Sequence, residues 1–165
     1  MADRLAAEIE IGGTVSASLV AGLCAAINED GLRLEWDGGD FHPRTAQDLL
    51  DAAEGGVLTL CDDQASWGSF PVLEGFLAEH YIGFTRTTEA KYEYDAEIIW
   101  FRSGAEGIQT RLTTQDQHVV VQRDELLPVL DALRRQDMAS ARRQLEQVIG
   151  PDIPPLGPLR IVGDV

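Results

Sequence analysis

VLTLCDDQASWGSFPVLEGFLAEHYIGFTRT, residues 57–87, carries three periodicities in succession. Val57–Cys61 is a short apolar run of strand character. Phe70–His80 places Leu73 and Leu77 at helical spacing, and Ile82–Thr87 returns to strand character. The same order occurs earlier in the chain. Glu8-Ile9-Glu10-Ile11 alternates and closes at Gly12-Gly13, Ser16 stands where an N-cap would, and Leu19, Leu23, Ala26 and Ile27 follow at helical spacing. After the stop at Asn28–Gly31, Leu32, Leu34 and Trp36 alternate with Arg33 and Glu35 until Gly38-Gly39. Laid on one another, Ile9 and Ile11 match Leu58 and Leu60, Leu23 and Ile27 match Leu73 and Leu77, and Leu32 and Leu34 match Ile82 and Phe84.

Two strand-helix-strand units, about residues 7–36 and 57–87, predict an α+β fold. The arrangement expected is ferredoxin-like, with both units in one antiparallel sheet and both helices on one face. Between the units, Thr45–Ala53 reads as an extra helix with Thr45 and Asp48 as a capping pair. Beyond them, Lys91–Arg102, Ile108–Leu112 and His118–Val121 read as an antiparallel meander extending the sheet. Asp124–Gln136 and Met138–Ile149 form a C-terminal helical pair, with Pro128 early enough in the first to be tolerated and Gly150-Pro151 as the stop. Residues 1–150 are thus expected as a single α+β domain. Residues 151–165 hold four of the seven prolines together with Leu156, Leu159, Ile161 and Val162, which predicts an extended tail packed on the body or on a partner.

The 165 residues, 44% hydrophobic and 25% charged, have the composition of one folded domain. No apolar run approaches a membrane span and the N-terminus has no secretory pattern, so a cytoplasmic protein is expected. Cys24 and Cys61 stand in no metal or redox spacing and read as two buried free thiols. The net charge of −15 argues against direct binding to nucleic acid or to an anionic membrane, and for a basic protein as partner. That charge is uneven. Residues 1–100 hold 19 acidic and 5 basic side chains, and residues 101–165 hold 9 and 8.

A phosphate loop, a dinucleotide fingerprint, a nucleophile elbow and a zincin helix are all missing, and no cofactor is implied. His42, His80 and His118 have no companion at ligand spacing. Two constellations remain. Cys61–Ser69 gathers Asp62, Asp63 and Trp67 where a strand is expected to pass into a helix; with the Gly12–Thr14 link it would line a shared concave site at one end of the sheet. Its plainer role is a turn built on Asp62 or Asp63, with Ser69 as N-cap and Trp67 as a lid. In Lys91–Trp100, alternation sends Tyr92, Tyr94, Ala96, Ile98 and Trp100 inward and leaves Glu93, Asp95 and Glu97 as an outward, unneutralised ladder. Such a ladder invites a cationic partner, or protects an edge strand from aggregation.

Three functions follow as expectations. The first is a non-catalytic interaction protein, a nucleic-acid mimic that blocks a basic, nucleic-acid-binding partner through Glu93, Asp95, Glu97, Trp67, Asp62 and Asp63. By analogy alone, inhibitors of restriction or CRISPR machinery carried by mobile elements, and immunity proteins, act in this way. The second is a metal-dependent hydrolase or phosphoesterase, which would need Asp62, Asp63 and Asp95 to converge. The third is a small-ligand sensor near Thr14 and Trp67. Arg134, Arg135, Arg142 and Arg143, interspersed with acids, read as solvated helix faces; docking onto the acidic half, within the chain or in a homodimer, stays open.

Overall fold

The alternation at the start of the chain produces the central strand. In a computed structural model that describes residues 3–91, 95–114 and 116–163, β1 (Arg4–Gly12) buries Leu5, Ala7, Ile9 and Ile11 on one face and turns Glu8 and Glu10 to the other. After the Gly13 turn come the short β2 (Thr14–Ser16) and a single 3-10 turn, then α1 (Val20–Asp30). Ser16 therefore precedes the 3-10 turn, and its side chain makes no capping bond. α1 ends at Gly31, whose φ of 67° gives the left-handed C-cap. α2 (Ala46–Ala53) starts from the capping box expected of Thr45 and Asp48, with both reciprocal bonds formed. β3 (Leu58–Ser66), α3 (Pro71–Glu79), β4 (Gly83–Thr88), β5 (Ala96–Phe101) and β6 (Gln109–Thr113) follow.

The protein is α+β. Five strands form one antiparallel sheet in the order β3-β1-β4-β5-β6, and β2 pairs in parallel with a last strand, β7 (Arg160–Val162). Ile9 lies opposite Leu60 and Ile11 opposite Leu58 and Phe84. The residues matched across the two units meet in one core, where Ile9, Ile11, Leu23, Ile27, Leu58, Leu60, Leu73, Leu77 and Phe84 are fully buried. Burial of each such side chain stabilises the fold by roughly 1.5–3 kcal/mol.

The match breaks at Leu34. The strand expected over residues 32–36 is reduced to one bridge, from Arg33 to Cys61 at the β3 edge. Arg33 also bridges Asp40, and the Phe41 amide donates to the Leu32 carbonyl, so the chain doubles back at Gly38-Gly39 and leaves Leu34 and Trp36 exposed. The third meander strand is likewise a single bridge, Val119 to Thr113.

α4 (Arg123–Arg134) and α5 (Met138–Ile149) form a hairpin whose shared interior is small: Val129, Ala132 and Ala141. Pro128 lies inside α4, past its first turn, with its ring exposed. The tail then runs back over the sheet. Arg111 Nη2 donates to the Pro151 carbonyl at 2.7 Å and Arg102 Nε to Pro154 at 2.8 Å. Gly13 donates to the Gly157 carbonyl, Leu159 is buried, and the Arg160 amide donates to Gly13 as β7 begins. A Cβ on Gly12 would run into the Gly157 carbonyl, so this crossing requires glycine. Among the described residues no helix is long and apolar enough to cross a membrane, and Cys24 and Cys61 are buried free thiols.

Candidate protein-interaction site

The sheet has two unlike faces. One carries the core against α1 and α3. The other presents Glu8 and Glu10 of β1 opposite Thr87 and Thr85 of β4, with Ile98 of β5 beyond. A cleft of about 240 Å³ lies where Trp36, Thr114 and Gln117 rise over Ala6, Glu8, Thr87 and Glu89. A second of about 140 Å³, over Glu8, Glu10, Thr85, Thr87 and Ile98, shares Glu8, Thr87 and Gln117 with the first, so the two form one trough. Glu8, Glu10 and Glu89 are in its lining and no lysine or arginine is. Neither Glu8 nor Glu10 makes an ion pair among the described residues. Partial burial pushes the Glu8 carboxyl above its ordinary range, and the neighbouring Glu10 adds to the rise. Arg102 is within electrostatic reach of Glu10, but its guanidinium is taken up by the Phe84, Phe101 and Pro154 carbonyls and the Thr85 hydroxyl.

The residues singled out in the sequence are dispersed. Asp62 and Asp63 are not in a link, because β3 continues through them to Ser66 to match the length of β1, with a bulge between Leu5 and Ala7. Asp62 accepts the Gln64 amide at 3.0 Å, the local role of a turn former. Asp63 is paired with Arg33 at 3.0 Å, and Arg33 also reaches Asp40 at 3.4 Å. Trp67 is 52% exposed and has a φ of 57°. Ser69 bonds back to the Ser66 carbonyl and does not cap α3; the Phe70 amide is instead taken by Glu74. Since β1 and β3 are antiparallel, Gly12–Thr14 and Asp62–Ser69 lie at opposite ends of the sheet and do not line a common site.

The carboxylate ladder is also corrected. Glu93, with Tyr92 and Tyr94, lies outside the described residues. Asp95 is exposed just before β5. Glu97 shares a side with Ile99 and Phe101, which pack into or against the core, so Glu97 points to the helix-covered side of the sheet and meets a cation there. Ala96 and Trp100 are buried on the opposite side, where the Arg111 guanidinium lies 5.3 Å from the Trp100 ring centre. Among the described residues no three His, Cys, Asp or Glu side chains come close enough to hold a metal ion, so Asp62, Asp63 and Asp95 do not converge. His42 bonds Asn28, and His80 packs on Phe76.

The cation that Glu97 meets is Arg86, the feature that alternation alone hides. Arg86 sits opposite Ile9 and Ile99, 3% exposed, and its guanidinium reaches Glu74 (2.8 Å), Glu97 (3.2 Å), the Gly68 carbonyl and the Thr88 hydroxyl. The contact to Glu74 is an ion pair made through Nε at 2.8 Å. Burial raises the Glu74 carboxyl above its ordinary range and Arg86 opposes the rise. Asp30, at the end of α1, accepts the Leu73 amide at 2.8 Å and joins α1 to the first turn of α3. The only signal in the sequence is an arginine at the parity of Phe84. Comparison of the chain with protein-family models, with curated proteins and with solved structures finds no match, and the site is read from its own geometry.

Proposed function

We propose that this chain is a non-catalytic acidic interaction protein whose open sheet face receives basic side chains of a partner that otherwise holds nucleic acid, and so blocks that partner. The observation that carries the reading is the trough over Glu8 and Glu10. Two carboxylates two residues apart on one strand face stand about 6.6 Å apart along the backbone, with no cation in the trough lining. Holding Glu8 half-buried beside Glu10 costs desolvation and repulsion that the described fold does not offset. A guanidinium laid between them would offset both, and the exposed Trp36 at the rim offers a face for it to stack on. The charge of −15 draws a basic groove toward the chain and repels nucleic acid. Exposed Glu35, Asp37, Asp40 and Asp63 extend the acidic surface around Trp36 along the β3 edge. A target of this kind places the protein in the cytoplasm.

Capture from a lysate of the native host at low and at high salt, with bound proteins and nucleic acid identified, tests the reading. The result expected is a basic, nucleic-acid-binding protein that elutes with salt, loses its grip on duplex DNA when the chain is added, and is not captured by Glu8→Gln/Glu10→Gln or by Trp36→Ala. A captured partner indifferent to these variants, or one that still binds DNA in the presence of the chain, would overturn it.

A further inference from the structure

We propose that the outer face of the α4–α5 hairpin is a self-association surface, covered in solution by the same hairpin of a second copy to make a four-helix bundle. The two helices face each other through small side chains, Val129, Ala132 and Ala141. Large apolar residues stand beside that seam and outside it: Leu126, Leu130 and Leu133 on α4, Met138, Leu145 and Ile149 on α5, each 39–65% exposed, with Leu127 also exposed, farther round α4. At about 100° per residue, the α5 set lies some 40–80° round its helix from Ala141, and the α4 set some 40–100° from Val129 and 100–160° from Ala132, all in the same rotational sense. In an antiparallel pair such sets fall on the same side, so the hairpin has one continuous apolar face. This inverts the usual helical hairpin, whose largest apolar side chains fill its own interior.

Three observations point to a second copy as the occupant. An up-down pair with a one-sided apolar face is half of a four-helix bundle, and a twofold axis supplies the other half with the same pattern. The charge pattern allows it: residues 123–149 hold five basic and five acidic side chains, so two copies of a −15 chain meet through the part that carries no net charge, away from their acidic halves. The area also suits it. The six side chains expose on the order of 600 Å² per copy, near the roughly 800 Å² each partner contributes to a standard interface. The whole chain exposes 10,113 Å² at 18.0 kDa, about 2,000 Å² more than a compact monomer of that mass.

Sedimentation equilibrium of the full chain at low and high salt is the test. The result expected is a species of twice 18.0 kDa that tightens as salt screens the repulsion between acidic halves. Leu130→Lys/Leu145→Lys, at positions already exposed, should sediment as monomer with an unchanged circular dichroism spectrum. A wild-type chain that stays monomeric up to about 100 μM, well above the range in which such an interface associates, would overturn the proposal and leave the face to a different protein. A dimer that persists in the double variant would overturn it as well. So would a dimer that salt dissociates, since that would assign the contact to arginines of one copy on the acidic half of another.

Discussion

Arg86 concentrates the electrostatics of the interior in one side chain. Replacing it with methionine leaves Glu74 and Glu97 facing each other with no cation between them, and the loss expected in urea denaturation is about 3–5 kcal/mol. Adding Glu74→Gln should recover part of that loss, because the two positions act as one unit; a loss under about 1 kcal/mol in the single variant would mean that the node contributes little. Burial also raises the carboxyls of Glu8, Glu74 and Asp30 above their ordinary values. A carboxyl raised in the folded state binds its proton at a pH where the unfolded chain has released it, so stability falls as pH climbs through the raised value and is regained on acidification. Asp48 and Asp137, held below the ordinary range chiefly by backbone amides, contribute above the ordinary carboxylate pKa and lose that contribution only as pH falls further. The temperature of thermal unfolding is therefore expected to fall as pH rises from the ordinary carboxylate value toward neutrality, with Glu8→Gln reducing the fall. A melting temperature that rises over the same interval would contradict the assignment.

Among the elements, the tail is the most exposed to a single change. Gly12→Ala places a methyl against the Gly157 carbonyl, and the strap over the sheet end must lift. The outcome expected in hydrogen exchange is faster exchange at the Leu159 and Arg160 amides, with the amides of β3 and β4 unchanged and an overall cost of about 1–3 kcal/mol. What the sequence discloses about each element depends on how local its cause is. α2 is legible because Thr45 and Asp48 cap it within one turn, and the core because Ile9, Ile11, Leu58 and Leu60 alternate. The strand expected at Leu32–Trp36 has the same alternation but ends in a double-back set by Arg33 pairing with Asp40 and Asp63, partners 7 and 30 residues away. β3 runs past its apolar segment because β1 is long enough to pair with Asp62 and Ala65. The trough is hidden for the same reason. Glu8 and Glu10 look like any strand's solvent face until Trp36 and Gln117 arrive from distant loops to make walls.

At the scale of the whole molecule, the two proposed surfaces are expected to answer salt with opposite signs: the acidic face would release a basic partner as salt rises, while the neutral hairpin would hold a second copy more firmly. The acidic face depends on the sheet keeping its two faces distinct, and strand β4 is where that distinction is most delicate. Moved along β1 by one residue, β4 would present Arg86 to Glu8 and Glu10, carboxylates with no ion pair among the described residues, and would strand Glu74 and Glu97 inside. Phe84 would travel with it, from full burial opposite Ile11 into water. β4 thus offers one cation to two carboxylate pairs, and a phenylalanine two residues away selects between them: a sheet whose acidic face is free to bind has an aromatic residue on its other face that keeps its own arginine from binding there first.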